Sequence, residues 1–240
     1  TAADVVRARW PEVVATGSVA DAGQVQAWAV GPGLGTGAAG RQTLAQVLAA
    51  GVPVVADADA ITLLARHPEL ADSRDPGTPL VLTPHDREFE RLTGKSPKPD
   101  RVAATRDAAN RFNAVVLLKG NTTIVAAPDG RVLANPARSS WPATAGSGDV
   151  LTGVIGALLA AGLDPATAAA AATHAQELAA TLAAAAPPAG AFWMQNPVIG
   201  PPSSAFWMQN AVMSGAPAPA SAIQTWLTGA IRGLRAEPGR

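Results

Sequence analysis

The chain has 240 residues, with 18 basic and 18 acidic side chains, 48% hydrophobic and 15% charged residues, and no cysteine. That balance gives no electrostatic case for nucleic acid or an anionic membrane as the main partner, and the missing cysteines exclude a disulfide framework and thiolate metal sites. His67, His85 and His174 lie far apart, no apolar run reaches membrane-spanning length and no signal peptide is visible, so a soluble, cytoplasmic domain without a zinc site is expected.

Residues 3–9 read as a helix, followed by an ill-defined stretch with Val13 and Val14. The apolar segment 27–30 then runs into Gly31-Pro32-Gly33-Leu34-Gly35 and a helix over about 40–50. Strand, glycine-rich turn and helix is the grammar of a phosphate or nucleotide site, and equally of a tight connection. Residues 52–57 form a short β-branched run, a buried parallel strand ending in Asp57, and Asp59 is expected to cap a helix through about His67. Asp57 stands where open α/β sheets bind ligands, or it is a structural loop aspartate. Residues 80–82 are the next strand. Thr83 as N-cap and Pro84 at the first helical position then place His85 in the first turn, exposed or at the binding edge.

A helix is predicted over 99–113 and the clearest buried strand over 114–118. That strand delivers Lys119-Gly120-Asn121-Thr122-Thr123, which suits a polyphosphate or nucleotide, or is a surface lysine in a β-turn. Residues 124–127 and 131–135, joined by Pro128-Asp129-Gly130, read as a hairpin. Next comes Gly146-Ser147-Gly148-Asp149 at the start of a helix. Its unpaired amides and positive dipole end make an anion cradle with a carboxylate at the rim, a general base for phosphoryl transfer, or else a turn capped by Asp149. A further helix starts at Asp164-Pro165 and runs to about Ala186, with His174, Gln176 and Glu177 read as a solvent or subunit face. Strands alternating with helices imply a mostly parallel sheet with ligand sites on one edge.

Five motifs now stand in order: Gly31-Pro32-Gly33-Leu34-Gly35, Asp57-Ala58-Asp59-Ala60, Leu82-Thr83-Pro84-His85, Leu118-Lys119-Gly120 and Ala145-Gly146-Ser147-Gly148-Asp149. Together they resemble the ADP/ATP-dependent NAD(P)H-hydrate dehydratases, carbohydrate-kinase-like proteins of the ribokinase superfamily. The resemblance implies a three-layer α/β/α sandwich and a reaction that repairs hydrated NADH or NADPH (NADHX and NADPHX) by phosphorylating the ring hydroxyl and eliminating phosphate. It implies Asp149 as the base, with Gly146, Ser147 and Gly148 stabilising the phosphoryl group in flight. Gly33, Gly35, His85 and Asp149 would contact the hydrated cofactor. Lys119, Gly120, Asn121, Thr122, Thr123 and Gly148 would hold ADP or ATP, which brings Mg2+ with it; no metal site of the chain's own is expected. A homo-oligomer, a tetramer by resemblance, and an NAD(P)H-hydrate epimerase are the partners it suggests. A thiazole or pyrimidine kinase of the same superfamily, or an inactive nucleotide-binding remnant, is the alternative.

The resemblance spans residues 27–186. Residues 1–186 are accordingly expected to form the dehydratase core, short of the family's first strand and helix segments, and 220–240 its last helix. Between them, Ala191-Phe192-Trp193-Met194-Gln195-Asn196 recurs intact at 205–210 within the proline-rich stretch 187–219. That repeat reads first as a foreign insertion, with a native loop docking its aromatic pairs on a neighbouring subunit as the alternative.

Overall fold

The computed structural model describes residues 2–137, 146–185 and Leu227. The proline-rich repeat lies outside these residues, as does the expected last helix apart from Leu227, which is helical. After helix α1 (Ala2–Arg9) the order is β1 (Trp28–Val30), α2 (Ala38–Leu48), β2 (Val54–Ala56), α3 (Ala58–Arg66), β3 (Leu80–Leu82), α4 (Asp86–Thr93) and α5 (Arg101–Phe112). It continues with β4 (Val115–Leu118), β5 (Thr122–Ala126), β6 (Val132–Pro136), α6 (Ser147–Ala160) and α7 (Pro165–Ala185).

The six strands form one sheet in sequence order, β1 to β4 parallel and β4-β5-β6 antiparallel. Successive strand residues face opposite sides, so an unbroken run such as Val115-Val116-Leu117-Leu118 supplies both cores at once. Val54, Ala56, Leu82, Val116 and Leu118 pack with Leu44, Leu48, Ile61 and Ala109 of α2, α3 and α5. Val55, Val81, Leu117 and Val125 pack with Leu151, Ile155 and Leu159 of α6 and the buried alanines of α7. The result is the expected three-layer α/β/α arrangement. Small residues bring α6 close to the sheet: a Cβ on Gly156 would lie 3.3 Å from that of Ala29 on β1.

The sheet is mostly parallel, as expected, but one junction departs from strand–helix alternation. The turn at Lys119-Gly120-Asn121 does not lead to a crossover; it folds β5 back onto β4, with Leu118 opposite Ile124. Two helix starts also differ. Asp57, not Asp59, occupies the N-cap position of α3, and it forms no side-chain cap because its carboxylate is used elsewhere. Asp59 instead accepts the Gly35 amide at 2.9 Å. His85, not Thr83, is the N-cap of α4: its Nδ1 accepts the amides of Arg87 and Glu88 while the Glu88 carboxylate accepts the His85 amide. Pro84 fits the extended backbone before a helix as well as a first turn, which is why the sequence placed the start too early.

Asp164 caps α7 as expected. Its Oδ2 accepts the Thr167 amide and hydroxyl at 3.0 and 2.9 Å, and both its oxygens accept from Arg131 at the start of β6. The Arg131 guanidinium and the Thr167 amide hold this carboxyl below the ordinary carboxylate range. A depressed folded-state pKa contributes stability above the unfolded value, lost as pH falls through the folded one. Asp164→Ala is therefore expected to cost about 1 kcal/mol at neutral pH, mostly the lost cap, because the ion pair is exposed. Urea titrations of the two proteins should converge as pH falls below about 3.9.

Candidate functional site

The carboxyl ends of β1 to β4 lie along one edge, and the N-terminus of α6 comes to the same edge. Between them is a cleft of about 590 Å³. It is lined by the β4–β5 turn with Lys119, Gly120, Asn121 and Thr123, and by Gly146, Ser147, Gly148 and Asp149 at the start of α6. His85 and Glu88 of the α4 start complete one side, and Thr173, Gln176 and Glu177 of α7 the other. Most of the sequence-derived site residues thus converge on one space. Thr122 opens β5 opposite Pro136, and Gly33 and Gly35 lie at the end of β1; these three stand outside the cleft lining. Gly33 and Gly35 adopt left-handed conformations at φ +67° and +77°, and a Cβ on Gly40 would fall 2.1 Å from the Gly35 carbonyl oxygen. The glycine-rich turn therefore seats the start of α2 tightly.

The helix start at Gly146 has the form of an anion cradle. Gly146 is the N-cap in a left-handed conformation, φ +85°, with no side-chain cap. The reading of Asp149 as the cap is thus excluded, since Asp149 sits in the first turn of the helix. Its residue is exposed, and among the described residues nothing hydrogen-bonds or ion-pairs with its carboxylate. A carboxylate with open lone pairs, at a helix N-terminus and beside a cleft, can accept a proton from a bound hydroxyl.

Asp57 has the opposite environment. It is 2% exposed, accepts from Lys119 Nζ at 2.8 Å on Oδ1, and accepts from Thr152 Oγ1 at 2.9 Å on Oδ2. The neighbouring Ala58 takes a left-handed φ of +48°. Lys119 also lies 3.9 Å from Glu88 Oε2, beyond hydrogen-bond length. Arg101 of α5 fixes the turn from behind, donating to the Lys119 carbonyl at 2.9 Å and pairing with Asp86. Gly120 leaves room for that guanidinium, since a Cβ there would lie 2.5 Å from Arg101 Nη2.

The sequence assigned Gln176 and Glu177 to a solvent or subunit face, but both are buried and line the cleft, and Gln176 Nε2 donates to the Ser147 carbonyl at 2.6 Å. In a helix of nearly uniform alanine, hydropathy marks no inner side; the only available signal was two long polar residues among small ones. Asp57 was seen in the sequence without its partner, Lys119, which lies 62 positions on.

A family profile described as NAD(P)H-hydrate dehydratase matches residues 1–194. The bifunctional NAD(P)H-hydrate repair enzyme Nnr of Mycobacterium tuberculosis is 56% identical over 170 residues, 71% of this chain and 36% of that protein. The ADP-dependent (S)-NAD(P)H-hydrate dehydratase of Neisseria meningitidis is 43% identical over 69% of this chain and 58% of its own length. Among solved structures, the Bacillus subtilis ADP/ATP-dependent NAD(P)H-hydrate dehydratase co-crystallised with ATP and Mg2+ superposes with a TM-score of 0.62 at 27% identity. That superposition covers 88% of this chain and 65% of the Bacillus chain. The chain thus spans 36% to 58% of the length of these curated relatives.

Proposed function

As the chain belongs to the NAD(P)H-hydrate dehydratase family, we propose that it carries the nucleotide-dependent dehydration of NADHX and NADPHX, with ADP or ATP as phosphoryl donor. The observation that carries this reading is the Asp149 carboxylate, which has no partner among the described residues and lines the same cleft as Lys119. Asp149 takes the proton of the ring hydroxyl as its oxygen attacks the terminal phosphorus. The P–O bond to the nucleotide breaks, and AMP or ADP departs. The ring C–O bond then breaks, phosphate leaves with the bonding pair, and loss of a proton from the adjacent ring carbon restores the dihydropyridine. The amides at Gly146 to Gly148 stabilise charge on the phosphoryl oxygens during transfer. Lys119, Gly120, Asn121 and Thr123 line the nucleotide side, with Thr122 behind them on β5. His85 can meet the hydrated ring through Nε2, since Nδ1 is occupied as the helix cap. Gly33 and Gly35 border the ring's far end in this reading.

Among the described residues no three carboxylate, histidine or cysteine side chains gather to hold a metal. Magnesium in this reading enters as part of the nucleotide substrate, bound through its phosphates. A cytoplasmic homotetramer belongs to the same proposal, as does an NAD(P)H-hydrate epimerase as partner; the bifunctional naming of the mycobacterial relative fits the last of these alone.

The test follows recovery of NADH absorbance from its hydrate, with ADP and then ATP, together with release of inorganic phosphate. Recovery with one phosphate per NADH is the expected result. Accumulation of a phosphorylated hydrate without NADH would make the protein a kinase. Nucleotide binding without any turnover would overturn the assignment.

A further inference from the structure

We propose that Asp57 is a positioning residue for phosphoryl transfer: with Thr152, it pins the Lys119 ammonium against Gly148, where that ammonium meets the phosphate in transit. The proposal rests on the function proposed above and assigns roles to Asp57 and Thr152, neither of which has one in that reading.

Three observations carry it. First, Lys119 packs directly on the cradle. A Cβ built on Gly148 would lie 3.4 Å from Lys119 Nζ and 3.4 Å from Asp57 Oδ2, which is van der Waals contact, so the pair rests against the backbone that precedes Asp149. Second, the ammonium is held but not consumed. Asp57 takes one of its three hydrogens at 2.8 Å, Glu88 stands off at 3.9 Å, and the side chain keeps 22% of its surface exposed. Hydrogens therefore remain for an anion in the cleft. Third, Asp57 is tied to the helix that bears the base. Thr152 Oγ1 lies 2.9 Å from both Asp57 Oδ2 and the Gly148 carbonyl. The hydroxyl has a single hydrogen, and the charge-assisted bond to the carboxylate is the stronger of the two. Thr152 lies one turn beyond Asp149 on α6. The cation of the β4–β5 turn and the base of α6 are thus held in register through one buried carboxylate, 3% exposed.

A buried ion pair is by itself weak evidence of a stabilising role. A structural role for Asp57 predicts that its loss loosens the whole cleft. A positioning role predicts a split. Removing the carboxylate leaves Lys119 charged but untethered, so phosphate still binds while the transition state loses its aligned cation.

The experiment uses the whole chain with Lys119→Met, Asp57→Asn, Thr152→Val and Thr152→Ser, each checked for folding by thermal melting. Calorimetry with ADP and AMP reads the binding, and NADH recovery reads turnover. Lys119→Met should weaken ADP about ten-fold more than AMP, since only ADP places a second phosphate at the cradle. Asp57→Asn and Thr152→Val should lower kcat about ten-fold or more while ADP affinity is kept or rises. Thr152→Ser, which keeps the hydroxyl, should recover most of the rate lost in Thr152→Val. An unchanged ADP-to-AMP ratio in Lys119→Met would overturn the proposal, as would parallel loss of ADP and AMP binding in a folded Asp57→Asn. If Asp57→Asn does not fold, Thr152→Val decides in its place. Absence of turnover in the unaltered protein sinks the proposed function instead, and the binding ratios still decide the place of Lys119.

Discussion

Asp149→Asn is expected to lower turnover about 100-fold or more while nucleotide affinity stays within a few-fold of the parent, the signature of losing a general base. The amide has nearly the shape of the carboxylate but cannot take the hydroxyl proton. Asp149 makes no hydrogen bond or ion pair among the described residues, so its replacement leaves no partner stranded, and melting should shift little. Loss of one first-turn carboxylate from the helix N-terminus costs only about 0.3–1 kcal/mol. NADH recovery and calorimetry on the same preparation separate the two quantities. Turnover close to the parent's would remove Asp149 from the mechanism; collapse of nucleotide binding together with turnover would make it a structural residue of the cradle.

The asymmetry between Asp149 and Asp57 also explains which parts of the site the sequence could disclose. Asp149 is legible because its chemistry is local: two glycines, a helix start and a carboxylate lie within four consecutive residues. The three-layer fold is legible for a similar reason, since runs such as Val54-Val55-Ala56 carry their burial in their own composition. Asp57 was visible only as an aspartate after a strand. Its meaning comes from Lys119 and Thr152, which stand 62 and 95 residues away and reach it only after three parallel strands align their ends. Neither propensity nor periodicity encodes that meeting. Gln176 failed differently: α7 is so rich in alanine that its buried side carries no contrast, and burial there is decided by the sheet it covers. The cap positions failed because Pro84 and Asp59 satisfy the same local rules at two neighbouring positions. The choice falls to the local capping box of His85 with Glu88 at one helix and to the distant Gly35 amide, which takes up Asp59, at the other.

Gly31→Ala should produce the largest loss of stability, about 4 kcal/mol or more, within the range kept for forced backbone strain. The first cause is conformational: Gly31 has φ +134°, a region nearly closed to residues with a Cβ. The second is steric. The added Cβ would fall 1.8 Å from the Asp57 carbonyl oxygen, a backbone atom that no rotamer change can move. That oxygen accepts the Ala60 amide at 3.0 Å, and the Asp57 amide donates to the Val30 carbonyl at 3.0 Å. Relief of the clash must therefore break either the start of α3 or the pairing of the β1 and β2 ends, and both place the Asp57 carboxylate. Gly33→Ala is the control. Its φ of +67° carries a left-handed cost of about 1–2 kcal/mol, but its Cβ would meet nothing within 4 Å. Urea denaturation midpoints should separate the two substitutions clearly, with Gly31→Ala far lower or already unfolded in buffer. Equal midpoints would mean that β1 and β2 can part at this edge without cost, and the register that brings Asp57 to Lys119 would need another source.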